Sequence, residues 1–323
     1  MNVDLVELLD PELRKPIKKM LAQTPPMNLN DLPAARAASK KMFEAVIARM
    51  PTIPGVVCED RKIAGPANSP AVPIRIYRPE NCAGLLPALL WIHGGGYMFG
   101  DLDQEDLIAR PFCVAARCVV VSVDYRLTPE NPFPAPLEDC YSALKWLATQ
   151  AEGMKIDRSC IAIGGASAGG GLAAALAVLA RDRAEVKTVF QLLVYPMIND
   201  CTVAPAGPAV RDALFWTREN NLIGWRSYLG CQPGGKDVSC YAAAFRTAEL
   251  AGLPPAYIAV GDIDLFAEED IEYARRLVAA GVPTELHVYP GACHAFDMLV
   301  PGADVSRRFS ADIQRALKRA LRG

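Results

Sequence analysis

The segment 161–171 reads IAIGGASAGGG and sets one hydroxyl, Ser167, among five glycines. Within it, Gly165-Ala166-Ser167-Ala168-Gly169 fits the pattern G-x-S-x-G. A serine hydroxyl is a weak nucleophile until a neighbouring base takes its proton, and that base needs a third group to orient it. The chain offers three histidines, at 93, 287 and 294. His294 lies in GACHAF just after the strand-like ELHVY, and loops at the carboxyl ends of strands are where α/β sheets place their sites. His294 is therefore the expected base. His287 lies inside the strand pattern and reads as a surface or packing residue. Asp262 and Asp264 both follow the apolar run AYIAV. Either could orient the base, the other being a turn or helix-capping residue. His93 opens His93-Gly94-Gly95-Gly96 after PALLWI, a loop with bare N–H groups. The chemistry these residues suit is acyl transfer through a covalent serine. The backbone N–H groups of Gly94, Gly95 and Ala168 would then receive the developing oxyanion.

G-x-S-x-G alone is weak, arising by chance roughly once in twenty chains of this composition, so its surroundings decide. Two rival readings exist for the glycine run. The stretch from 159 to 180 carries no charge, and Gly165-x-x-x-Gly169 fits a packing motif of membrane helices. Five glycines would each weaken such a helix by ~1 kcal/mol against alanine, so a membrane span is not expected. A tight backbone packing site without chemistry is the other.

The elements that must position these residues are readable. VPIRIY (72–77), PALLWI (87–92), CVVVSV (118–123), CIAI (160–163), VFQLLVY (189–195), AYIAV (256–260) and ELHVY (285–289) read as strands. Several are continuous apolar runs, as in a sheet covered on both faces. Helical patterns lie between them at 137–150, 169–183, 267–280 and 306–322, the last with Phe309, Ile313, Leu317 and Leu321 four apart. This alternation predicts an α/β fold with a mainly parallel sheet and helices on both faces. Residues 1–50 look helical and precede any strand, and 201–230 hold no second strand. Both are expected as a helical cap around a core made of 51–200 and 231–323, one catalytic domain overall.

The chain has 323 residues and a formal charge of −2, which recommends neither nucleic acid nor an anionic membrane surface as partner. Its ten cysteines include no CxxC pair, so zinc-ribbon and thioredoxin-type sites are not expected. Buried free thiols in a reducing compartment are the default. Cys293, beside His294, raises a redox-control reading that the default opposes. The N-terminus lacks a basic region before an apolar core and does not read as a signal peptide; a cytoplasmic location is expected.

Over 72 to the C-terminus, the chain resembles the hormone-sensitive-lipase-like (family IV) esterases of the α/β-hydrolase superfamily. HGGGYMFGDLD (93–103) is similar to the family's oxyanion loop. VDYRLTPENPFPAPLEDCYSALKWL (123–147) resembles its YRLAPE-x-x-FPA segment, and PMINDC (196–201) with 215–230 resembles its second cap segment. The family order of serine, acid and histidine places the acid between Ser167 and His294. The motif D-P-L-x-D-E falls on Asp264-Leu265-Phe266-Ala267-Glu268-Glu269 and favours Asp264. Leu265 replaces the family proline, and Ala166 stands where many members carry Asp. The resemblance implies a serine carboxylesterase acting on short- to medium-chain esters, without metal or organic cofactor, and compatible with a homodimer. Tyr97, Phe215 and Trp216 are expected at the substrate. An amidase or deacetylase with the same triad is the alternative. A non-catalytic receptor of this fold is a more distant one, since Ser167, Asp264 and His294 are all present.

Overall fold

The computed structural model describes residues 5–23, 27–48, 53–203 and 213–322. Its strands are β1 (Val56–Ile63), β2 (Val72–Pro79), β3 (Leu86–Ile92), β4 (Val119–Val123), β5 (Ile156–Ala166), β6 (Phe190–Val194), β7 (Ala256–Gly261) and β8 (Thr284–Tyr289). They form one eight-stranded sheet in the order β1-β2-β4-β3-β5-β6-β7-β8. β1 pairs with β2, and β2 with β4, antiparallel; all pairings from β4 to β8 are parallel. The helices are α1 (Leu5–Leu8), α2 (Pro11–Gln23), α3 (Leu32–Ile47), α4 (Leu102–Ala116), α5 (Ala135–Gln150), α6 (Ala168–Arg183), α7 (Arg218–Leu229), α8 (Ala267–Ala279), α9 (Phe296–Leu299) and α10 (Asp304–Ala320).

Alternating side chains divide the core between the two faces of the sheet. Ala88, Leu90 and Ile92 of β3 join Leu144 of α5, Leu176 of α6 and Leu277 of α8 in one cluster. Leu89 and Trp91 of the same strand join Phe112 of α4 and Phe309 and Leu317 of α10 in the other. The alternation of strand and helix thus yields the layered α/β fold that the sequence predicts. No helix among the described residues is long and apolar enough to cross a membrane; the glycine run instead forms the end of β5 and the start of α6.

Three features depart from the sequence reading. β1 carries CEDRK at its centre, and only Val56 and Ile63 at its ends are buried. As an edge strand paired on one side, it has no apolar run to announce it. α4 is not among the helical patterns read from the sequence. Asp101 caps it, accepting from Asp103 N and Gln104 N at 3.1 Å each, and Glu105, Ala109, Phe112, Cys113 and Ala116 are its buried stripe. Pro111 and the charges hid that pattern. The cysteines are all free, but Cys201 and Cys231 are exposed, so burial does not hold for the whole set. Both sit in polar turns.

The N-terminal segment divides between two places. Leu9, Leu13 and Ile17 pack with the α10 cluster, while Leu29 and Ala35 join the opposite one. Of the expected second cap segment, residues 204–212 lie outside the described residues. The remainder contributes α7, whose Trp225 and Tyr228 are fully buried.

Candidate active site

The end of β5 turns into α6 at Ser167, whose backbone adopts φ 54°, ψ −121°. A non-glycine residue in this region is strained, and the strain presents the hydroxyl at the tip of the turn. The neighbours two positions away must be glycine because other backbone is there. A Cβ on Gly165 would lie 2.3 Å from the Gly169 carbonyl oxygen, and one on Gly169 would lie 2.1 Å from that of Ile92. The glycine run therefore lets α6, β5 and the end of β3 converge on the serine.

His294 lies beyond β8 and Asp264 beyond β7. His294 Nε2 is 3.0 Å from Ser167 Oγ, and Nδ1 is 2.7 Å from Asp264 Oδ2. With the proton on Nδ1, the imidazole donates to Asp264 and accepts from Ser167. The Asp264 side chain is fully buried, while that of His294 keeps 10% of its surface, enough to meet a substrate. Tyr195 and Phe266 stand edge-on against the imidazole, with ring centroids at 4.8 and 5.3 Å. The other aspartate does a different job: Asp262 Oδ1 accepts from Gly291 N at 2.7 Å and closes the loop that leads to His294. The acid loop also closes without the family proline, with Asp264 N donating to Gly261 O (3.2 Å) and Ala267 N to Asp264 O (3.3 Å).

The glycine loop lies directly against Ser167. A Cβ on Gly94 would be 2.9 Å from the Ala166 carbonyl oxygen and 3.4 Å from Ser167 Cβ. Gly95 has φ 111°, a conformation that suits glycine. Ala168 opens α6, where the first amides have no intrahelical acceptor. His93 anchors the loop from beneath. It is buried, stacked on Tyr125 at 4.2 Å, and its Nδ1 is 2.8 Å from the Gly94 carbonyl oxygen. Burial pushes its pKa down to about 4, so it is neutral at pH 7 and donates to that carbonyl. His287 pairs with Glu285 at 2.9 Å on β8 and lies outside the site, as expected.

The residues expected at the substrate fare differently. Tyr97 is buried, its ring stacked on Tyr228 at 4.0 Å and its hydroxyl donating to Met197 O at 3.1 Å. Its side chain packs α7 against the glycine loop. Trp216 lies over Gly96, which has no room for a side chain beneath that ring, and its Nε1 donates to Asn221 Oδ1 at 3.1 Å. Phe215 is half-buried. Cys293 is buried, and burial pushes its thiol up to about 12; it stays protonated and unreactive, which removes the basis for redox control.

The sequence reading missed two acids near the triad, the half-buried Asp297 and the buried Glu269. Asp297, one turn after His294, accepts from the Tyr195 hydroxyl at 3.3 Å, and burial pushes its carboxyl up to about 6. Glu269 accepts from Ile198 N (2.8 Å), Asn199 N (3.2 Å) and the Thr202 hydroxyl. It thereby fixes the start of the second cap segment. Its place in the quoted acid motif was the available signal, but its partners lie some seventy residues away along the chain.

Comparison with known proteins gives this arrangement its context. A family profile described as the alpha/beta hydrolase fold matches residues 89–298. Carboxylesterase NlhH of Mycobacterium tuberculosis is 35% identical over 314 residues, covering 94% of this chain and 96% of that protein. Esterase LipI of the same species is 38% identical over 252 residues, 77% of this chain and 78% of that one. The solved structure of a bacterial heroin esterase superposes with a TM-score of 0.93 at 39% identity, covering 99% of this chain and 100% of that chain. The fold, the elbow and these similarities agree: the chain belongs to the hormone-sensitive-lipase-like (family IV) esterases of the α/β-hydrolase superfamily and is an ester-hydrolysing enzyme.

Proposed function

We propose that the protein hydrolyses short- to medium-chain carboxylic esters through a serine acyl-enzyme. The observation that carries this reading is the unbroken chain from Asp264 through His294 to Ser167, set at a strained strand-to-helix turn. Ser167 Oγ attacks the ester carbonyl as His294 Nε2 takes its proton. His294 then returns that proton to the leaving alcohol. Asp264 holds the tautomer and stabilises the imidazolium. Gly94, Gly95 and Ala168 N–H groups receive the oxyanion, each donor worth ~3–4 kcal/mol. Water activated by His294 then releases the acid.

The first segment and α7 act as a cap over this end of the sheet. Trp216, seated beside the oxyanion loop, and the half-exposed Phe215 border the acyl group, and their bulk favours short chains. Ten free thiols suit a reducing compartment such as the cytoplasm.

The decisive experiment compares hydrolysis of p-nitrophenyl butyrate by the wild type and by Ser167→Ala. Turnover in the wild type with a loss of several orders of magnitude in the variant is expected. Equal rates would refute the serine assignment. A p-nitrophenyl ester series is expected to favour butyrate over palmitate; the reverse order would refute the chain-length preference.

A further inference from the structure

We propose that Arg36, on the N-terminal helix α3, is a positioning residue for the oxyanion loop. It ties the alignment of that loop to the docking of α3. The inference builds on the serine-hydrolase reading above.

The loop 94–100 opens with three consecutive glycines, which have no side chain to anchor them, so hydrogen bonds to its carbonyls add to the buried side chains of Tyr97, Met98 and Phe99 in holding it. The Gly95 carbonyl accepts from Met98 N (3.0 Å) and Phe99 N (2.9 Å), which closes the turn on itself. The Tyr97 carbonyl accepts from Thr128 N (3.0 Å) and Thr128 Oγ1 (3.2 Å). The Met98 carbonyl accepts from Arg36 Nε at 2.8 Å. The same guanidinium donates through Nη2 to Thr128 O at 2.9 Å and forks the Glu130 carboxylate at 2.7 and 2.9 Å. One planar group thus joins the oxyanion loop, the 128–130 turn and α3. Arginine suits this task because its five donors are fixed in one plane; a lysine ammonium cannot hold all three acceptors at these angles.

α3 is itself seated for the purpose. Asp31 caps it, accepting from Ala34 N at 3.2 Å, and Ala35, beside Arg36, is buried in the cluster that holds Tyr97, Met98 and Phe99. The ion pair is exposed, with 30% of the Arg36 side chain and 55% of the Glu130 side chain accessible. Exposed pairs add little to stability. The value of Arg36 therefore lies in geometry: it fixes the Met98 and Thr128 carbonyls and, through them, the direction in which Gly94 and Gly95 present their N–H groups. Small misplacements of such groups slow the chemical step steeply.

The test is Arg36→Ala and Arg36→Lys beside the wild type, with Arg61→Ala as control. Arg61 pairs with Glu59 on the exposed surface of β1, at the edge of the sheet. Active sites are titrated with a phosphonate, so that rates refer to competent enzyme. For Arg36→Ala, kcat on p-nitrophenyl butyrate is expected to fall about tenfold or more while KM stays within about twofold. A trifluoromethyl ketone, which presents an oxyanion, should weaken in parallel. Arg36→Lys should recover part of the loss, and Arg61→Ala should match the wild type. Amide exchange of the peptide covering 93–100 should quicken in Arg36→Ala with the melting temperature nearly unchanged. An unchanged kcat, or unchanged exchange of 93–100, overturns the proposal. If the wild type hydrolyses no ester, the functional reading fails, and the exchange measurement alone decides the clamp. If Arg36→Ala does not fold, the same readings on Arg36→Lys decide it.

Discussion

Asp262 and Asp264 stand two positions apart after the same strand, and their carboxylates meet different partners. Asp264 reaches the imidazole, whereas Asp262 holds Gly291 N. Asp264→Asn is expected to lower kcat by about four orders of magnitude, because the amide favours the wrong tautomer of His294. Asp262→Ala should cost about 1 kcal/mol of stability, one hydrogen bond, and leave kcat within about tenfold. Steady-state kinetics with urea titration of both variants checks the pair; equal kinetic losses would contradict the assignment. The serine, the base and the glycine loop were legible because each is announced by local spacing. The choice of aspartate was not, since only the fold shows which carboxylate faces the imidazole; the family motif had to supply it. His93 makes a separate, pH-dependent prediction. Its pKa falls from an ordinary 6.5 to about 4 in the folded state, so the unfolded chain binds the extra proton between those values. Its contribution is present above pH 6.5 and is lost as pH falls through 4, up to roughly 3 kcal/mol. Stability of His93→Gln should therefore change less between pH 7 and 4.5 than that of the wild type; identical slopes would refute the buried-histidine account.

At the scale of elements, the crossing of β3, β5 and α6 decides whether the hydroxyl and the oxyanion donors meet. Gly169→Ala would place a methyl 2.1 Å from the Ile92 carbonyl and 2.3 Å from that of His93. The end of β3 must then shift, carrying Gly94 with it. The expected result is about 1–3 kcal/mol of destabilisation with a disproportionate loss of kcat. Gly302→Ala meets nothing within 4 Å and should be nearly neutral. Denaturant curves and kcat for the two variants test this; equal effects would show that the crossing is not tight. The central strands and most helices were legible because two-sided burial writes unbroken apolar runs. β1 was not, because its outer face meets solvent, and α4 was not, because Pro111 and its charges interrupt the stripe. Arg36 carries no local signal at all, and Glu269 only its place in the acid motif. Their roles exist only through partners 62 or more residues away.

For the whole molecule, the N-terminal segment belongs to the structure as much as the sheet does. Leu13 of α2 is fully buried in the α10 cluster, so Leu13→Ala should cost about 2–5 kcal/mol. α2 starts against the loop that leads to His294, where Asp10 N donates to Gly291 O at 2.9 Å, so a modest loss of kcat should accompany the loss of stability. A lowered denaturation midpoint is the expected result, and an unchanged midpoint would show that α2 is dispensable. The order in which the triad appears along the chain has a further consequence. Ser167 and His294 are 127 residues apart, and β7 and β8, which precede Asp264 and His294, must join the sheet before the imidazole can reach the hydroxyl. During synthesis the serine elbow emerges from the ribosome well before its base. Any product interrupted before His294 carries a complete-looking G-x-S-x-G turn with nothing to activate it. On the serine mechanism proposed above, hydrolysis begins only when the last strand has joined the sheet, and a colour change from a chromogenic ester would serve as a clock for completion of the fold.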